Sequence, residues 1–437
     1  MQTNERDRRT IIFVINYHCY FLTRLMCHMS DINSIDLVHL AQNIKQWAHA
    51  LGFSHVGITD VDLTHEQGHL QAWLDKHYYG DMQYFPERGM LRAQPAELVP
   101  GTLRIISVSM DYLPPDASFA RHLADPNLGY VSRYALGRDY HKVLRQRLKQ
   151  LGNHIKAEFA DTEFRPFVDS APILEHAVAA KAGIGFTGKH SLTINPQTGS
   201  WSFLGELFIN LPLPIDQPIT DNCGTCTACM SICPTNAIVD PYTVDARKCI
   251  SYLTIEHHSA IPEEYRHAIG NRIYGCDDCQ LVCPYNKEAP ITQENDFYAR
   301  PQLHGNSLLA LFAWDENAFL NHTEGSAIRR IGYVKWQRNI SVAIGNAPYS
   351  DEHNTTLSNK LAQLTLLVSA YHANDQDQQQ QHADAYGFAR LPSIAQVTML
   401  IEHLQWAKQQ PQQTQPTSNR QQARLVRSIQ KGLVRDA

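Results

Sequence analysis

Cys223-Gly-Thr-Cys226-Thr-Ala-Cys229-Met-Ser-Ile-Cys233-Pro234 is followed further along by Cys276-Asp-Asp-Cys279-Gln-Leu-Val-Cys283-Pro284, with Cys249 between them. The first run has the spacing of a bacterial two-cluster ferredoxin, in which three close thiolates bind one cubane and the fourth reaches across to the other. The second run supplies the other half-motif. Together they give eight thiolates and predict two 4Fe-4S clusters, one on Cys223, Cys226, Cys229 and Cys283, the other on Cys233, Cys249, Cys276 and Cys279. A pair of zinc sites is the competing reading, because zinc also takes four thiolates. Zinc spacing pairs two CxxC units without the x3-Cys-Pro tail that occurs twice here.

Working outward, the chain has 437 residues and 10 cysteines, and only Cys19 and Cys27 stand outside the ligand pattern. Thiols concentrated in metal-ligand spacing, rather than scattered as disulfide partners, predict a reducing, cytoplasmic setting. The 43% apolar composition suits two or three packed domains. With 38 basic and 43 acidic residues, a net charge of -5 excludes a global electrostatic drive towards polyanions. Any nucleic-acid contact must then use local basic patches. No run approaches the ~20 apolar residues needed to span a bilayer, so no membrane partner is expected.

Arg8-Arg9 followed by Ile11 to Ile15 superficially resembles a twin-arginine leader, but Asn16, Tyr17 and His18 interrupt the apolar run. Residues 1–33 therefore read as an extension, with a start near Met29. From Leu37, the apolar positions Leu40, Ile44, Trp47 and Leu51 recur at helical spacing and stop at Gly52. Val56 to Thr59 and Ile105 to Met110 read as strands, Asp139 to Leu151 as a helix. Asp169 is placed at a strand-to-helix turn before a helix over 173–182, where helix capping is its plainest role. Gly183-Ile-Gly185-Phe-Thr-Gly188-Lys-His190 reads as a turn whose bare backbone admits a large flat ligand. Leu211 to Pro218 reads as a linker and the chain beyond Pro290 as mostly helical. The polar stretches Asp375 to Gln381 and Gln409 to Gln413 read as surface loops or disorder.

The expected fold class is α+β: a mixed α/β domain at 34–215, a ferredoxin-like two-cluster module at 216–300 and a helical region at 301–437. Two clusters with interleaved ligands make a wire, and an acceptor must lie beyond it. A bare ferredoxin needs only the cysteine stretch, so the long flanking sequence predicts a catalytic site.

Four further segments carry a family resemblance: Val131-Ser-Arg-Tyr-Ala-Leu-Gly-Arg-Asp139-Tyr-His-Lys142, Phe167-Val-Asp169-Ser170, Cys249-Ile-Ser-Tyr-Leu-Thr-Ile-Glu256 and Asn271-Arg-Ile-Tyr-Gly-Cys-Asp-Asp-Cys-Gln280. In this order they closely resemble epoxyqueuosine reductases, from about Leu37 to at least Pro348. The resemblance implies a monomeric, cobalamin-dependent oxidoreductase that removes the epoxide oxygen of epoxyqueuosine in tRNA, the last step of queuosine synthesis. It also implies an unidentified low-potential electron donor. Epoxide to alkene takes two electrons and two protons and releases water, so a one-electron wire must feed a two-electron centre, which a reduced corrin cobalt provides. Charge developing on the epoxide oxygen calls for a positioned acid.

By the resemblance that acid is Asp169, for which burial predicts a raised pKa. Arg92, Ser132, Asp169, Thr193, Leu204, Ser251 and Asp277 match cobalamin-contacting positions; Arg92 also reads as a solvated charge, Thr193 and Leu204 as sheet packing. For tRNA, Arg420, Arg424, Arg427, Lys431 and Arg435 form one helical stripe. Arg329, Arg330, Lys335 and Arg338 surround Tyr333 and Trp336, rings suited to stacking on bases. The alternatives are a corrinoid reductive dehalogenase, favoured only by Arg8-Arg9, and a non-enzymatic electron carrier.

Overall fold

In the computed structural model, residues 37–410 and 420–432 are described; the 1–33 extension, Cys19, Cys27 and Arg435 lie outside them. Helix α1 (Leu37–Ala50) forms on the expected spacing, burying Leu40, Ala41, Ile44 and Ala48. It ends where Gly52 takes φ +88°, a left-handed conformation that a side chain disfavours.

Four strands build the main sheet: β1 (His55–Thr59), β2 (Arg104–Asp111), β3 (Phe164–Phe167) and β4 (Ser202–Ile209), each pair antiparallel, in the order β1-β2-β4-β3. Ile105 to Met110 are buried without a break, as in a strand covered on both faces. One face meets α1 and helix α2 (Tyr140–Glu158) through Ile106, Val108, Leu144, Leu148 and Leu207. The other face meets helix α3 (Glu175–Lys181) through Ile105, Phe167, Val178 and Phe208. Gly57 allows this contact, since a Cβ there would lie 1.9 Å from the Ala182 carbonyl oxygen. The fold class is α+β, as expected.

The cysteine module is joined to this domain by main-chain pairing. Tyr130–Val131 pairs in parallel with Arg272–Tyr274, fixing the 131–142 segment beside Cys276. Within the module Arg272 and Asp278 form a buried bidentate pair at 2.8 and 2.7 Å.

Helices α4 (Gly332–Asn346), α5 (Asp351–His372), α6 (Gln376–Tyr386) and α7 (Ile394–Gln409) pack together in the C-terminal region. Helix α6 corrects the loop expected over 375–381. Asp375 caps its start by accepting from the Gln378 amide, and Gln379, Ala383 and Tyr386 are buried, so the polar run is one wall of a packed helix. Helix α8 (Arg420–Gln430) leaves this region and packs Leu425, Val426 and Ile429 into the core of the first domain, against Phe119–Ala124. No helix among the described residues is long and apolar enough to cross a membrane.

Candidate active site and cluster-binding cysteines

Asp169 stands two residues beyond β3 with φ +49°, and the Ser170 amide donates to the Val168 carbonyl at 2.6 Å. An i to i+2 bond around a positive φ is a γ-turn of the strained kind, so neighbours must hold it. They do so at three points. The Asp169 amide donates to Glu175 Oε1 at 2.5 Å, the Tyr140 hydroxyl donates to Oδ2, and His141 Nε2 lies 3.1 Å from Oδ2. Helix α3 begins only at Glu175, so Asp169 does not cap it. The capping expectation fails because the chain makes a separate turn first.

Electrostatics overturn a second expectation. Burial opposes ionisation of Asp169, but hydrogen bonds from His141 and Tyr140 and the nearby positive charges of His141 and Arg330 outweigh it, holding the carboxyl below its usual range rather than above it. Burial likewise opposes the charged form of His141, yet its bonds to Asp139 (Nδ1 to Oδ1, 2.8 Å) and Asp169 carry its pKa up to about 9. At neutral pH the proton therefore sits on the imidazole, facing a carboxylate whose side chain is 54% exposed.

Further charged groups lie around Asp169 and Glu175. Arg92 is buried, with its guanidinium 4.1 Å from the Phe85 ring centroid, donating from Nη2 to the Tyr84 carbonyl at 2.9 Å. It is not a solvated charge. Its Nε is buried without a hydrogen-bond partner. Tyr84 is pushed up to about 12 by burial and by the Glu256 and Asp169 carboxylates. Arg330 pairs with Glu256 at 2.5 Å and reaches the Asp169 side of the cleft.

The remaining predicted contacts divide into groups. Ser132 and Asp277 are brought together: the Ser132 hydroxyl donates to Oδ1 at 2.5 Å, while the Tyr130 hydroxyl and Arg133 amide donate to Oδ2 at 2.7 and 3.1 Å. Thr193 is buried, its hydroxyl 2.9 Å from His176 Nδ1, and Leu204 packs on Ala179 and Ile184. Ser251 is half-buried on the short helix Ile250–Ile255, which follows Cys249. The glycines of the 183–190 turn are required by its own hairpin. A Cβ on Gly185 would lie 2.4 Å from the Ile194 carbonyl oxygen, and one on Gly188 2.5 Å from the Ile194 side chain.

The eight cysteines are free thiols that fall into two spatial groups. Cys283 lies within electrostatic reach of Cys223, Cys226 and Cys229, while Cys279 feels Cys249 and Cys233 most strongly and abuts Cys276. Two short helices, Ala228–Ile232 carrying Cys229 and Asp278–Leu281 carrying Cys279, pack side by side and hold the groups adjacent. The Lys189 amide donates to Cys223 Sγ at 3.4 Å and the Ala237 amide to Cys233 Sγ at 3.2 Å. Cys226 is exposed, so its group faces solvent.

The basic positions also part company. Arg420, Arg424, Arg427 and Lys431 are exposed on the face of α8 opposite its buried apolar residues, as a stripe requires. Tyr333 and Trp336, by contrast, are core residues of α4, and Arg338 is buried, donating to the carbonyls of Leu253, His257 and Ser259. Those rings are not available to stack on bases. Sequence reading assigned no role to Tyr140, His141, Glu175 or Glu206. Glu206, alone among the apolar residues of β4, was the legible signal.

An antiparallel-sheet domain bearing the Asp169–His141 site, fused to an eight-thiol module, has the make-up of an iron–sulfur redox protein. The family model described as 4Fe-4S double cluster binding domain matches residues 222–286, and that described as Epoxyqueuosine reductase QueG, DUF1730 matches residues 92–170. An epoxyqueuosine reductase of Shewanella oneidensis is 55% identical over 407 residues, covering 92% of this chain and 96% of the relative. That of Escherichia coli K12 is 55% identical over 403 residues, covering 92% and 99%. A crystal structure of epoxyqueuosine reductase with an epoxyqueuosine-modified tRNA stem loop superposes with a TM-score of 0.69 at 26% identity, covering 85% of this chain and all of that one. The chain belongs to the epoxyqueuosine reductase family.

Proposed function

We propose that this chain reduces epoxyqueuosine to queuosine in tRNA, in the cytoplasm and as a monomer, taking electrons from a low-potential donor at the exposed Cys226 side. The observation that carries this reading is a strained aspartate turn held by His141 and Tyr140 in a chain that also carries eight free thiols in ferredoxin spacing. Cys223, Cys226, Cys229 and Cys283 hold one 4Fe-4S cluster, and Cys233, Cys249, Cys276 and Cys279 the other. Thiolates that accept amide hydrogen bonds suit cubanes, whose sulfurs gain from such donors.

The cleft also suits cobalamin, which is rich in amide and phosphate acceptors, because Arg92 presents a buried Nε–H that nothing else satisfies. Arg92, Thr193, Leu204 and Ser251 would hold it, with the Ser132–Asp277 pair bracing the wall next to Cys276 and Asp169 facing the reacting side. When bound, cobalamin supplies a centre that collects single electrons and delivers a pair. The chain's own task is the proton. His141 Nε2 holds it at neutral pH, Asp169 Oδ2 receives it across 3.1 Å, and Asp169 presents it to the oxygen released from the ring. Two electrons and two protons convert the epoxide to an alkene and water. The stripe Arg420, Arg424, Arg427 and Lys431 meets tRNA phosphates.

The test offers anaerobically reconstituted protein, carrying iron, sulfide and cobalamin, either tRNA bearing epoxyqueuosine or a haloorganic compound. Turnover of the tRNA alone supports the reading. Dehalogenation without tRNA turnover, or no corrin retained, overturns it.

A further inference from the structure

Beneath the Asp169 turn lie two acidic groups that the proton delivery does not use. Glu175, the first residue of α3, points back to accept the Asp169 amide at 2.5 Å. Glu206 sits on β4 directly below, opposite Ser107 on β2 and Phe167 on β3 in the sheet register. It is fully buried, and neither of its oxygens makes a well-formed hydrogen bond; the groups facing it are the Glu175 carboxyl and the Ser107 hydroxyl, itself buried and unpartnered. Among the described residues neither carboxyl forms a salt bridge. The other charged or titratable groups around Glu175 are Asp169, His141, Arg92 and Tyr140. Glu175 is half-buried and Glu206 fully buried, and two carboxyls facing each other there cannot both ionise, so a proton resides between them.

We propose that Glu175 is a positioning residue, a latch that holds the strained Asp169 turn inward through the amide bond and is itself held in place by a proton shared with Glu206. A carboxyl in this state offers its carbonyl oxygen to the Asp169 amide and its hydroxyl to Glu206. Burial and the Asp169 charge, which push Glu175 up to about 8, agree with that arrangement. Without the latch, a γ-turn of this kind relaxes and carries the acid away from the reacting oxygen. The inference rests on Asp169 being the acid.

The experiment compares wild type, Glu175→Ala, Glu175→Gln and Asp169→Asn as reconstituted holoenzymes on epoxyqueuosine-containing tRNA, with hydrogen exchange of the 165–175 peptide measured alongside. Misplacing a catalytic group by about 1 Å costs ~10²-fold. Glu175→Ala is expected to lose about 10²-fold in kcat with KM for tRNA within about 3-fold, and to exchange the peptide faster. Glu175→Gln keeps an acceptor for Asp169 and a donor for Glu206, and should restore both readouts. Should Glu175→Ala fail to load its clusters, Glu175→Gln still decides: a loss as deep as that of Asp169→Asn overturns the latch. So does Glu175→Ala with unchanged kcat and exchange while Asp169→Asn is inactive. Full activity in Asp169→Asn instead removes the acid reading on which the latch depends.

Discussion

His141→Gln tests the proton account most closely. In the wild type, hydrogen bonds to Asp139 and Asp169 hold the imidazole pKa at about 9, so at pH 7 nearly every molecule carries the proton. The sign follows from the raised value. The favourable interaction of the imidazolium with its two carboxylates is fully present below 6.5, the ordinary histidine value, and is lost as pH rises through about 9. Glutamine keeps a donor but holds no titrating proton, leaving Asp169 as the sole acid. Single-turnover loss of the epoxide at pH 7 should therefore slow by about 10²- to 10³-fold. In the wild type the rate should stay level through neutral pH and fall as pH passes about 9, whereas in the variant it should already decline from acid pH upward. Rapid-quench measurements between pH 5 and 10, with nucleoside analysis of the tRNA, give both profiles. A variant within about 3-fold of wild type at pH 7, or one with its alkaline limb still near 9, would refute the relay from His141 to Asp169.

Three other outcomes follow from the same structure. Asp278→Asn removes the counter-charge of fully buried Arg272 and should destabilise the anaerobic protein by about 3–5 kcal/mol in denaturant titration. An Arg272→Met, Asp278→Leu double variant should recover most of that, and a double variant as unstable as the single would contradict the charge argument. Trp336 is wholly buried, so Trp336→Ala should cost about 3–5 kcal/mol of stability while leaving tRNA affinity of the folded protein unchanged; weakened affinity at full stability would restore the stacking role. Reversing Arg424 and Arg427 to Glu should raise KM for tRNA and flatten its salt dependence, with kcat unaltered, and an unchanged salt slope removes α8 from the tRNA contact.

The parts of this fold that were legible share one property: their physical rule is local. Cysteine spacing is a ligand rule, the α1 periodicity and Gly52 are helix rules, and helix α1 forms and ends where the latter put it. The errors arose where long-range packing decides. Asp375 to Gln381 looks like a loop because glutamine-rich segments bury little, yet α5 supplies a surface on which Gln379 and Ala383 are covered. Tyr333, Trp336 and Arg338 look like a nucleic-acid platform in one dimension, but the carbonyls that absorb Arg338 come from residues 253–259, far away in the chain. The proton site was half visible. Asp169 came through the family resemblance, whereas its partners Tyr140 and His141 reach it from the start of α2 and Glu206 from β4, and only the tertiary structure brings them together.

In the proposed reaction, electrons from two thiolate-held cubanes are consumed, with protons delivered by Asp169, in removing one oxygen from a tRNA base. Anaerobic reconstitution followed by metal analysis and mass spectrometry of the digested tRNA measures this directly. The account predicts about eight irons with matching sulfide per chain, bound cobalamin, and a modified nucleoside lighter by one oxygen in proportion to electrons consumed. Zinc in place of iron, or electrons consumed with the epoxide intact, would contradict it.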